Sequence, residues 1–139
     1  MSSSYVLDAS ALLDFIEGGP GSRKVDHLLR SAVRQDLALF VSVMNLGEVF
    51  YWLWQKRSEG QARQVLADIS RLPIQVVPVD LAEALKAGEL KALHKIPYVD
   101  CIAAALALHH RATLVTSDRD FEKLGRHFQV LWLPASIKH

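Results

Sequence analysis

Short apolar runs alternate along this chain with segments whose apolar positions recur at helical spacing. The runs Ser4–Leu7, Ala38–Val41, Gln75–Val77, Thr113–Val115 and Val130–Leu133 have the length and composition of buried strands. Between them, Val25, Leu28, Leu29, Ala32 and Val33 share one face of a helix. So do Leu46, Val49, Phe50 and Leu53, and Ala62, Val65, Leu66 and Ile69. Leu81, Ala84, Leu85 and Ala92 mark a fourth helix capped by Asp80. Asp100–His110 is a fifth, with Pro97 placed where a first-turn proline is tolerated. Strands separated by helices predict an α/β protein, a three-layer α/β/α sandwich with a mostly parallel central sheet. With 139 residues, half of them hydrophobic, the expectation is one domain spanning residues 1–139.

Four acids interrupt the most apolar stretches. Asp8 follows Tyr5-Val6-Leu7, Asp100 precedes Cys101-Ile102-Ala103-Ala104-Ala105, and Asp118 comes just after Leu114-Val115-Thr116-Ser117. Glu48 is the only charge in the 18 residues from Leu37 to Trp54. A carboxylate removed from water is costly unless it is paired or bound to a metal. Ligands of open parallel sheets gather outside the carboxyl ends of the strands. Asp8 and Asp118 are expected at such ends, Asp100 in the first turn of its helix and Glu48 in the second turn of a helix that follows a strand. Four acids distant in sequence can therefore meet at one sheet edge. Oxygen ligands of this kind suit a hard cation such as Mg²⁺ or Mn²⁺, and a shared acidic pocket suits metal-assisted phosphodiester hydrolysis.

Composition narrows the setting. A formal net charge of +1 gives no overall basic signature, so any nucleic-acid contact must come from a local basic rim, with Arg23, Lys24, Lys56, Arg57, Lys91, Lys95 and Arg119 as candidates. Cys101 is the single cysteine, which excludes an intramolecular disulfide and fits a reducing compartment. The opening Met1-Ser2-Ser3-Ser4-Tyr5 lacks the features of a secretory signal, so a cytoplasmic location is expected. Residues 37–54 approach the length of a membrane span, but a mid-span acid such as Glu48 costs about 2.5–3.5 kcal/mol. The composition also changes midway, and a buried strand running into a buried helix is the better reading.

The blocks Val6-Leu7-Asp8-Ala9-Ser10-Ala11-Leu12, Asn45-Leu46-Gly47-Glu48-Val49, Val99-Asp100-Cys101-Ile102-Ala103-Ala104-Ala105-Leu106-Ala107 and Leu114-Val115-Thr116-Ser117-Asp118-Arg119-Asp120-Phe121 resemble, in order and spacing, the four signature blocks of PIN-domain ribonucleases. More narrowly, they resemble the toxin subunits of VapBC toxin–antitoxin pairs. The resemblance covers nearly the whole chain. It implies a PIN-like α/β/α fold, Mg²⁺- or Mn²⁺-dependent endonuclease activity on RNA, and a small cognate antitoxin that covers or enters the acidic site. It further implies that Asp8, Glu48, Asp100 and Asp118 are the metal-binding, catalytic carboxylates, with Ser10 and Thr116 lining the site. The implied reaction is attack by a metal-activated water that leaves a 5′-phosphate and a 3′-hydroxyl.

Read singly, several residues have plainer roles. Asp8 could be a turn residue with Ser10 capping the next helix, Glu48 half of a buried ion pair, and Asp100 a partner of the helix dipole. Asp120 could join the metal shell or cap the short helix opened by Phe121-Glu122-Lys123-Leu124, and the cap is favoured. Gly18-Gly19-Pro20-Gly21 lacks the phosphate-loop pattern and is expected to be a flexible turn. Phe50, Tyr51, Trp52 and Trp54 surround their helix, which predicts burial, in part through a homodimer interface. Two other function classes compete: a catalytically silent PIN-like module that binds RNA or protein, and a phospho-accepting fold. The silent module would have no need of four mutually repelling carboxylates. A dehalogenase-like phosphatase wants a second aspartate where Ser10 stands.

Overall fold

Strands that are apolar at successive positions need cover on both faces. In the computed structural model, which describes residues 3–135, both faces have it. The elements are β1 (Ser3–Leu7), α1 (Ala9–Glu17), α2 (Ser22–Val33), β2 (Leu37–Ser42), α3 (Val43–Lys56), α4 (Glu59–Ile69), β3 (Gln75–Val77), α5 (Leu81–His94), α6 (Tyr98–His110), β4 (Thr113–Thr116), a 3₁₀-helix (Arg119–Leu124) and β5 (Val130–Trp132). The sheet order is β3-β2-β1-β4-β5, and every pairing is parallel. Val6, Phe40 and Leu114 point to the side of α5 and α6, while Leu7, Leu39, Val41 and Val115 point to the side of α1 to α4. The predicted three-layer sandwich is the observed one. Residues 37–54 form the expected strand and helix, and among the described residues no helix is long and apolar enough to cross a membrane.

Chain order explains where a site can form. The chain leaves β1 towards β2 and β3, then returns through α5 and α6 to place β4 on the other flank of β1. Such a reversal opens a crevice beyond the carboxyl ends of the two central strands, here those of β1 and β4. Helix α6 lies close to the sheet there, because Ala103, Ala104 and Ala107 are fully or almost fully buried and present only methyl groups.

One expectation needs correction. On α5, Leu81 and Leu85 do not mark the buried face: they are 74% and 65% exposed, and the helix instead buries Glu83, Ala87 and Leu90. Packing on the alanine-rich α6 favours small residues at close approach, and exposed leucines alone do not define a core. Helix α3 is not covered all round. Val49 and Leu53 are buried, but Met44, Tyr51 and Trp54 form an exposed stripe at helical spacing.

Candidate metal centre

Each acid reaches the crevice through the element that carries it. Asp8, the first residue after β1, has extended backbone angles and caps α1 by accepting the Ala11 N–H at 2.9 Å. Asp118, the second residue after β4, also has extended backbone angles and caps the 3₁₀-helix by accepting the Asp120 N–H at 2.9 Å. Asp100 lies in the first turn of α6, and Glu48 in the second turn of α3.

Asp8 is buried and its two oxygens are held by hydroxyls. Ser10 donates to Oδ1 at 2.7 Å, and Thr116 donates to Oδ2. Each hydroxyl in turn accepts a backbone N–H from the β4 turn: Ser117 N–H reaches Ser10 Oγ at 3.0 Å, and Asp118 N–H reaches Thr116 Oγ1 at 2.9 Å. Two parallel relays therefore tie the end of β4 to the end of β1. They fix the Asp8 carboxylate without neutralising it.

The electrostatics show a cluster of acids. Burial, followed by the nearby charges of Asp118, Asp8 and Glu48, pushes the Asp100 carboxyl up to about 8. Burial also pushes Asp8 up to about 6 against the pull of its hydrogen bonds. Glu48 is raised by burial and by Asp118, with the Asn45 bond opposing. One oxygen of each of Asp100, Asp118 and Asp120 lies within 4.8 Å of the others. Asp100 Oδ2 is buried with no hydrogen-bond partner. Among the described residues no lysine, arginine or histidine pairs with Asp8, Glu48, Asp100 or Asp118. Crowded, unneutralised carboxylates with an orphaned buried oxygen are the donor set a hard divalent cation requires.

Several single-residue expectations change. Asp120 does not cap its helix. Asp118 does, which leaves the Asp120 carboxylate beside Asp100 and Asp118, with Lys123 3.9 Å away. Asp8, not Ser10, caps α1, and Ser10 is free to hold Asp8. Glu48 has no ion-pair partner among the described residues; the amide of Asn45 donates to it at 2.9 Å. Asn45, which the sequence offers only as the first residue of a motif block, sits one turn before Glu48 and is buried, with Oδ1 lacking a partner. The glycine-rich turn is not a free loop. Asp14, fully buried, accepts the Gly21 N–H at 2.6 Å, and a Cβ on Gly19 would lie 1.8 Å from Asp14 Oδ1. Its signal was an acid among the apolar residues of Leu12-Leu13-Asp14-Phe15-Ile16. Of the predicted rim, Arg57 is committed to Glu17, and Arg119 lies over the Trp132 ring.

The fold is a parallel α/β/α domain with its acids gathered at the carboxyl ends of the central strands. The PIN domain profile matches residues 5–127, and the chain belongs to that family. Its fold is that of solved VapC toxins and VapBC complexes. The VapBC2 complex of Rickettsia felis, bound to a DNA fragment from their promoter, is similar with a TM-score of 0.75 and 17% identity over 94% of this chain and 98% of the other. DNA-bound VapBC from Salmonella typhimurium gives 0.71 and 18% over 94% and 98%. VapC20 of Mycobacterium tuberculosis, a Sarcin-Ricin loop cleaving toxin, gives 0.69 and 17% over 87% and 95%. No curated protein matches the chain by sequence.

Proposed function

We propose that this protein is a metal-dependent endoribonuclease, the toxin of a toxin–antitoxin pair, in which Asp8, Glu48, Asp100 and Asp118 hold Mg²⁺ or Mn²⁺. The observation that carries this reading is the Asp100 carboxyl, buried among three other acids with one oxygen unpartnered. When bound, a divalent ion supplies a strong nucleophile from water at neutral pH and offsets the charge that develops on a phosphodiester. Ser10 and Thr116 keep the Asp8 oxygens oriented, Asn45 orients Glu48, and Asp120 adds a third oxygen beside Asp100 and Asp118. The hydroxyls and amide are in place before any ligand arrives, so little reorganisation opposes binding.

Similarity to VapBC complexes supports a small antitoxin partner and a cytoplasmic setting. The exposed Met44, Tyr51 and Trp54 stripe supports a homodimer. A silent binding module is the poorer reading, because mutual repulsion of the carboxylates destabilises the fold unless a cation offsets it. Cleavage of structured RNAs with Mg²⁺ or Mn²⁺, compared between the wild type and Asp8→Asn, tests the proposal. Loss of cleavage in the variant is expected, and equal activity in both proteins would reject the site.

A further inference from the structure

Beside the acidic crevice a second feature runs down the β5 edge of the sheet. Trp132 pairs in register with Thr116, whose hydroxyl holds Asp8. The Arg119 guanidinium, one residue beyond Asp118, lies 4.4 Å from the centre of that ring. From Trp132 a cleft of about 570 Å³ opens between β5 and the 3₁₀-helix, with Phe128 and Arg126 in its wall. A second hollow of about 290 Å³, lined by Arg111 and His127, shares Phe128 and Gln129 with it as wall residues. Among the described residues, Glu122 is the only acid lining either hollow.

The lining brings the half-buried Trp132 and Phe128 together with the exposed Arg126 and Arg111, although the chain as a whole is almost neutral. That combination is what an unpaired nucleic-acid strand needs. Bases stack on aromatic faces whatever their sequence, and arginines meet the phosphates. A duplex, whose bases are already stacked, gains nothing from the rings. We infer that the cleft from Trp132 to Arg111 is a binding track for single-stranded RNA, which leads nucleotides flanking the scissile phosphate away from the acids. This rests on the ribonuclease reading for the direction of the track, but the track itself is tested by binding.

Short single-stranded RNA oligomers carrying 4-thiouridine are bound to Asp8→Asn protein, cross-linked with light and mapped by mass spectrometry. Affinity is followed by anisotropy across a salt series. Cross-links are expected on the peptide from Arg119 to Trp132, with duplex RNA binding more weakly. Arg126→Glu with Arg111→Glu should weaken binding roughly tenfold or more and flatten the salt dependence by about 0.7 for each phosphate that is no longer neutralised. Lysine at both positions should restore most of it. In cleavage assays the loss should be carried by KM. Unchanged affinity in the glutamate double variant, cross-links confined to other surfaces, or equal binding of duplex would overturn the track. If cleavage depends on Asp8 while those results appear, the track falls and the nuclease stands. If RNA cross-links at Trp132 but is never cut, the nuclease falls and the track stands.

Discussion

Raising the pH of the metal-free protein presses directly on the acidic crevice. Burial moves the Asp8 carboxyl from 3.8 to about 6 in the folded state. Between those values the native protein holds a proton that the unfolded chain has released. Stability is therefore untouched by this group at lower pH, falls as pH rises through the interval, and stays reduced above it. A displacement of roughly two units corresponds to about 3 kcal/mol, which for a chain of this length lowers Tm by roughly 10 °C. Asp100, raised to about 8, moves the same way and extends the decline to alkaline pH. Thermal unfolding in chelator from about pH 4 to about pH 8 reads the effect. Asp8→Asn removes it, together with the Asp8 contribution to the raised Asp100 carboxyl, because asparagine still caps α1 and cannot titrate. The wild-type Tm should fall more steeply than that of the variant, with the two curves separating across the Asp8 interval. Parallel curves would refute the claim that this carboxylate is destabilised by burial in the apo fold.

Three further outcomes follow from named contacts. At alkaline pH, Mn²⁺ should raise the Tm of the wild type, and Glu48→Gln should shrink that rise; an identical metal response would remove Glu48 from the ligand set. Asp14→Ala should cost about 1–3 kcal/mol in denaturant unfolding, since it orphans the buried Gly21 N–H. Gly19→Ala should be far milder in that background than in the wild type, and equal costs would deny the contact. Replacing Tyr51 and Trp54 by lysine should leave far-UV circular dichroism intact and turn the proposed homodimer into a monomer by sedimentation; a wild type that is already monomeric, or an unchanged assembly in the variant, would reject this interface.

Much of this molecule was legible from local pattern. The five strands and the run from β2 into α3 follow from apolar period and length, and the four acids betrayed themselves by interrupting apolar stretches. What stayed hidden depended on partners far away in sequence. Leu81 and Leu85 look like core until α6 supplies a face of alanines that Ala87 and Leu90 fit better. Asp120 reads as a cap because its neighbour's competing claim is decided only by the backbone after β4. The hydroxyl relays pair Ser10 with Ser117 and Thr116 with Asp8, contacts that no spacing rule foretells. Asp14 showed the same signal as the four site acids, yet its partner is a glycine N–H in the next turn. A buried acid is thus a sign of compensation, and only the fold reveals whether a cation or a backbone group provides it.

The most direct measurement is anomalous diffraction from crystals soaked in Mn²⁺. The expected result is a strong peak in the crevice between β1 and β4, at coordination distance from carboxylate oxygens of Asp8, Asp100 or Asp118. Full Mn²⁺ occupancy elsewhere with this crevice empty, or a lysine or arginine side chain seated among these acids in its place, would contradict it.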